Sequence, residues 1–142
     1  MLVKELMTKN VITVSPEASL KDVGKILKEK KISGVPVVND AGRVVGVITI
    51  TDLLRILGRI YQWREMEKGK EEMNLSEMYE QEKEKAKVKD VMTKDVVSLS
   101  EEDTLDDVMR MMFENKVHTI PVMKDNQLIG VIGKRDLLYA CF

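Results

Sequence analysis

Twice in this chain a carboxylate stands where an apolar run gives way to a helical pattern, with hydroxyl or basic residues just before it. The first instance is Thr49-Ile50-Thr51-Asp52 after GVI at 46–48, and the second is Gly133-Lys134-Arg135-Asp136 after GVI at 130–132. A helix start leaves N–H donors without partners, and those donors suit either a capping side chain or an anion such as phosphate. Threonine hydroxyls add donors. An ionised aspartate only accepts, so it repels phosphate but can take both hydrogens of a ribose diol. The same residues serve equally well as caps, Thr51 for free N–H groups and Asp52 for the positive end of the helix. Gly133 lacks the hydroxyl of Thr49, and Lys134 and Arg135 either compensate with charge or simply lie on the surface. Two unequal sites are expected, with the one at Asp52 the stronger.

The other reactive residues do not converge. His118, the one histidine, could meet phosphate and titrate near neutrality, or serve as a hydrogen-bonded structural residue. It has no Ser or Cys partner at triad spacing and no second histidine with which to build a metal site. The single cysteine, Cys141, cannot form an internal disulfide and fits a reducing cytoplasm. Ten methionines, Met109, Met111 and Met112 among them, suit core or interface filling. With no glycine-rich phosphate loop either, the expectation is a binding protein rather than an enzyme, without metal or catalytic cofactor. A net charge of -1 argues against phosphate-backbone binding to nucleic acid. No apolar run approaches the length of a membrane span. Hydrophobic residues at 44% beside 33% charged ones suit a packed core.

The elements that would position these residues come from an internal repeat. VKELMTKNVITVS (3–15) aligns with VKDVMTKDVVSLS (88–100), identical at seven of thirteen positions. The offset of 85 runs through Leu20/Leu105, Val23/Val108 and Pro36/Pro121, then falls to 84 from Gly46/Gly130 onward. The lost residue falls in a turn, where a deletion is cheap. Each copy predicts a short strand (Val11–Val14, Val96–Leu99) and then a helix capped by Ser19/Asp22 or Thr104/Asp107. Two strands joined by a turn follow, 35–38 with 44–48 and 120–123 with 128–132, and then a helix from near Thr51 or Arg135. The turn at Asp125-Asn126 suits a tight hairpin. The fold class is therefore α/β (α+β): two β-α-β-β-α repeats, 1–57 and 88–142, each too small to be comfortable alone. Between them lies a charged insert, 58–87. Its residues from 59 on carry seven basic and eight acidic side chains. The helix through Leu53, Ile56, Leu57, Ile60 and Trp63 continues into it, and Asn74 with Glu77 opens a second, charged helix towards Ala86. The insert reads as a solvated connector or as a surface for a partner.

The doubled order of MT-K, IS-G-VPV, a hairpin and G-V-I-x-x-x-D-L-L resembles a tandem CBS domain pair, named for cystathionine β-synthase. The resemblance covers both repeats and leaves only the insert outside. It implies a pseudo-two-fold module with two clefts between the repeats, which commonly bind AMP, ADP, ATP or S-adenosylmethionine. It implies that one repeat gives the strand-end aspartate and the other most of the base crevice. Carried over, Thr49, Thr51 and Asp52 work with Val97, Val117, His118, Thr119 and Pro121. The mirror cleft joins Lys134, Arg135 and Asp136 to Ile12, Ile32, Ser33, Gly34 and Pro36. Prolines 36 and 121 at strand positions leave nearby backbone groups free for a ligand, or mark an edge or bulge. The helices beginning DLLRILGRIYQW and DLLYACF are more apolar than one buried stripe needs, and such pairs are implied to dimerise through them. The expected function is an adenosine-nucleotide-responsive cytoplasmic regulator of a separate target protein. The alternatives are a sensor of S-adenosylmethionine or NAD and a ligand-free interaction module.

Overall fold

The computed structural model describes residues 1–66 and 74–142, and residues 67–73 of the insert lie outside them. In chain order the elements are α1 (Val3–Leu6), α2 (Leu20–Lys30), β1 (Gly34–Val38), β2 (Val44–Thr49), α3 (Ile50–Met66) and α4 (Leu75–Lys85). They continue with α5 (Val88–Val91), β3 (Leu99–Ser100), α6 (Leu105–Glu114), β4 (Thr119–Lys124), β5 (Gln127–Gly133) and α7 (Lys134–Cys141).

Local chemistry sets the helix starts. Ser19 Oγ accepts from the Asp22 N–H, and Thr104 with Asp107 forms a reciprocal capping box. Asn74 Oδ1 accepts from the N–H groups of Ser76 and Glu77, which opens α4. The β1–β2 ladder is antiparallel from Gly34 opposite Thr49, and its counterpart β4–β5 runs from Thr119 opposite Gly133. Asp125 and Asn126 take φ of 51° and 64°, the two positive values a tight two-residue hairpin turn needs. The first strands are shorter than expected. Of Val11–Val14 only Val14 pairs, in a parallel bridge to Val37, and β3 holds two residues. Both runs lie at the sheet edge, where few ladder bonds hold them.

The cores do not follow the repeat boundaries. Val3 and Leu6 of α1 pack with Leu99, Val108, Met112, Ile120, Val122 and Ile132, the core of the second repeat. Val88 and Val91 of α5 pack with Leu20, Val23, Leu27, Val35, Val37 and Ile48, the core of the first. Each repeat thus gives its opening segment to the other. Backbone bonds secure the exchange: Thr8 and Val131 bond reciprocally at 2.9 and 3.0 Å, and so do Thr93 and Val47. Here Gly46 and Gly130 answer to close approach. A Cβ on Gly46 would stand 2.5 Å from Met92 Sδ, and one on Gly130 2.5 Å from Met7 Sδ. The repeated Met-Thr is the piece each half hands across.

The described part of the insert leans on the first repeat. α4 lies against α2 and α3, with Leu20, Leu53, Ile56, Ile60 and Tyr79 lining the groove they share. Lys21 and Glu84 pair across it at 3.6 Å, and no residue of α4 is buried. The outer face of α4 is solvated.

Candidate functional site

The exchange places a carboxylate at the floor of each of two cavities walled by both repeats. Asp52 stands in the first turn of α3 and is 1% exposed. Its Oδ2 accepts from the Thr49 N–H at 2.9 Å and the Thr49 hydroxyl at 3.3 Å. Its Oδ1 accepts from the Thr93 hydroxyl at 3.1 Å and from Arg55 Nη1 at 3.0 Å. Asp136, three residues into the corresponding turn of α7, accepts from the Gly133 N–H at 2.7 Å and from the Thr8 hydroxyl at 2.6 Å. Thr8 and Thr93 are equivalent residues of the repeated Met-Thr-Lys. Each fixes the aspartate of the opposite repeat.

The cavity over Asp52 measures about 400 Å³ and that over Asp136 about 730 Å³, both within the range of small-molecule sites. Thr49, Thr51, Val97, Val117, His118 and Thr119 line the first together with Asp52. Pro121 is buried within β4 and does not line that cavity. Ile12, Ile32, Ser33, Gly34 and Pro36 line the second with Lys134, Arg135 and Asp136. The Pro36 carbonyl accepts from the Val14 N–H at 3.1 Å, so that backbone group is already used. Ser33, Ile50, Thr119 and Lys134 border both cavities, which therefore adjoin.

The two cavities differ in more than the hydroxyl that Gly133 lacks. Asp52 already accepts two bonds on each oxygen. Asp136, among the described residues, accepts one on each, so an acceptor position remains on both. Arg55 caps Asp52 from one helical turn on, and the corresponding place near Asp136 belongs to Tyr139, which lines that cavity. Partial desolvation, and next the charge of Lys134, hold the His118 imidazole below its ordinary pKa, so at neutral pH it enters the first cavity uncharged. Thr8, Thr93, Arg55, Tyr139 and the lysines Lys28, Lys31 and Lys116 escaped the sequence reading. The threonines carried a signal, an identical polar pair outside any apolar pattern. Arg55 and Tyr139 carried only a three-residue spacing from an aspartate. Among the described residues no cluster of three His, Cys, Asp or Glu could hold a metal ion.

Two pseudo-symmetric β-α-β-β-α units, clasped by exchanged segments around paired clefts, define a paired-repeat module with ligand-sized cavities. The chain belongs to the CBS domain family, which matches residues 3–59 and 88–142. It is 34% identical over 135 residues to the inosine-5'-monophosphate dehydrogenase of Methanocaldococcus jannaschii, covering 94% of this chain but only 22% of that enzyme. It is 32% identical over 154 residues to an uncharacterized protein of the same organism, covering 99% of this chain and 90% of the relative. Among solved structures, CBSX2 in complex with AMP superposes with a TM-score of 0.72 at 27% identity, covering 98% of this chain and 94% of that one. No helix among the described residues is long and apolar enough to cross a membrane.

Proposed function

We propose that this chain is a regulatory module that binds an adenosine nucleotide, AMP, ADP or ATP, between its repeats and acts on a partner protein. The carrying observation is the pair of inter-repeat cavities, each floored by an aspartate that a threonine of the other repeat holds in place. A ligand there touches both halves at once. It shifts their relative arrangement to the extent that it prefers one arrangement over another. The likeness to a structure holding AMP supports the adenosine reading, and the match to the CBS part of a dehydrogenase supports a regulatory role. The site residues are the aspartates and the cavity walls named above.

Assembly as a homodimer belongs to the same proposal. The helices expected to form it keep exposed apolar side chains, Leu54 of α3 at 59% and Leu138 of α7 at 53%. The insert is the surface for the target. Thermal melting and calorimetry with AMP, ADP, ATP, NAD and S-adenosylmethionine test the reading. A rise in midpoint that saturates with one or more adenosine nucleotides is expected. No shift with any of them on well-folded protein refutes it and leaves an interaction module.

A further inference from the structure

We propose that the two clefts divide ligands by charge: the Asp136 cleft takes an adenosine di- or triphosphate, and the Asp52 cleft an adenosine compound with at most one phosphate. This rests on the nucleotide reading above and adds which ligand class goes where.

Three observations carry it. The Asp136 cavity is nearly twice as large, about 730 against 400 Å³. Its carboxylate also keeps one acceptor position on each oxygen, as a vicinal diol requires. At Asp52 a sugar would have to displace Arg55 or Thr93. The third observation is charge. Lys28, Lys31, Lys134 and Arg135 line the Asp136 cavity against the single carboxylate of Asp136, a surplus of three positive charges. The Asp52 cavity sets Arg55, Lys116 and Lys134 against Asp52 and Asp95, a surplus of one, and its Arg55 is engaged with Asp52. A polyphosphate needs several cations or donors around one volume to replace its water, and only the Asp136 cleft gathers them. Lys134 borders both cavities, so one ammonium serves both. A triphosphate in the Asp136 cleft leaves the Asp52 cleft with no surplus charge at all. The two clefts are therefore complementary in kind rather than duplicates.

The repeat supplies its own control. Lys31 and Lys116 occupy equivalent places, one per cleft, and both have positive φ, 54° and 56°. Asparagine tolerates that backbone conformation, so Lys31→Asn and Lys116→Asn each remove one charge without adding strain. Calorimetry on the full chain would compare adenosine, AMP and ATP. Wild type is expected to bind ATP more tightly than AMP, one ATP per chain. Lys31→Asn should weaken ATP about tenfold and leave adenosine unchanged, as a lost charge-assisted contact does. Lys116→Asn should change ATP by less than about twofold, as expected for a screened surface charge. Arg135→Gln should reproduce the Lys31→Asn result from a different element. ATP binding no tighter than AMP, or a loss confined to Lys116→Asn, overturns the division of the clefts while leaving nucleotide binding in place. Silence with adenosine, AMP and ATP alike overturns the nucleotide reading and this inference with it.

Discussion

Replacing Asp52 by alanine should cost the ligand-free protein more stability than the same change at Asp136, although the two are equivalent residues of the repeat. Asp52 is 1% exposed and satisfies a helix-start N–H, two hydroxyls and one guanidinium. Its removal loses a cap, worth about 1 kcal/mol. It also strands a charged donor and a hydroxyl, which in full burial would cost about 1.5–3 kcal/mol more. The Arg55 side chain is 50% exposed, so water recovers part of that. Relief of the carboxylate's own desolvation recovers a further part. About 2 kcal/mol remains after these allowances. Asp136 is half-buried and its hydroxyl donor, Thr8, is exposed, so little beyond the cap is lost and the cost is about 1 kcal/mol. At about 3 °C per kcal/mol for a chain of this size, the midpoints should fall by about 6 °C and about 3 °C. Scanning calorimetry without nucleotide measures both, and urea midpoints check them. Equal losses, or a larger loss at Asp136, would refute the view that Asp52 is already saturated by the protein's own donors.

Gly46→Ala should destabilise by about 1–3 kcal/mol, because the new Cβ meets Met92 Sδ at 2.5 Å and the Thr93 carbonyl at 2.9 Å. Gly24→Ala, inside α2 with nothing within 4 Å, should stabilise by about 0.5–1 kcal/mol, and urea unfolding of the pair tests the contrast. Leu6→Ala should cost about 2–4 kcal/mol and speed amide exchange in β4 and β5 more than in β1 and β2, the strands of its own repeat. The reverse pattern would sink the exchange of opening segments. His118 has its pKa lowered from 6.5, so folding favours the neutral ring. Its contribution to stability is present above about pH 6.5 and is lost as pH falls through the depressed folded value. Proton NMR of this single histidine should show a midpoint below 6.5, moving up when AMP is added, and a midpoint at or above 6.5 without ligand contradicts it.

Much of the fold was legible because it is written in short-range patterns. Ser19/Asp22, Thr104/Asp107 and Asn74/Glu77 each place a cap and its partner within three residues, and each cap forms. The apolar stripes of α2 and α6 and the Asp125-Asn126 hairpin are equally local. What the pattern could not convey was partnership at long range. α1 and α5 are single turns of four residues, too short for a periodic signal, and nothing in VKEL says that Val3 belongs with Ile132 rather than with Ile48. For the same reason Thr8 and Thr93 stood out as repeated yet had no assigned job. The greater weight placed on Asp52 followed from counting hydroxyls before it. Arg55, one turn further on, occupies the carboxylate that those hydroxyls were expected to leave available.

The exchanged openings also bear on how this protein could be divided. A cut in the insert would yield two fragments, each carrying a strip of hydrophobic surface that only its sibling can cover: Val3 and Leu6 on one, Val88 and Val91 on the other. Neither fragment would be complete in solution, yet the two together hold every piece of both cores, so co-expressed halves should find each other and reconstitute the whole. Such a clasp makes the covalent link between the repeats secondary to the interlock, which leaves the intervening stretch free to be so highly charged.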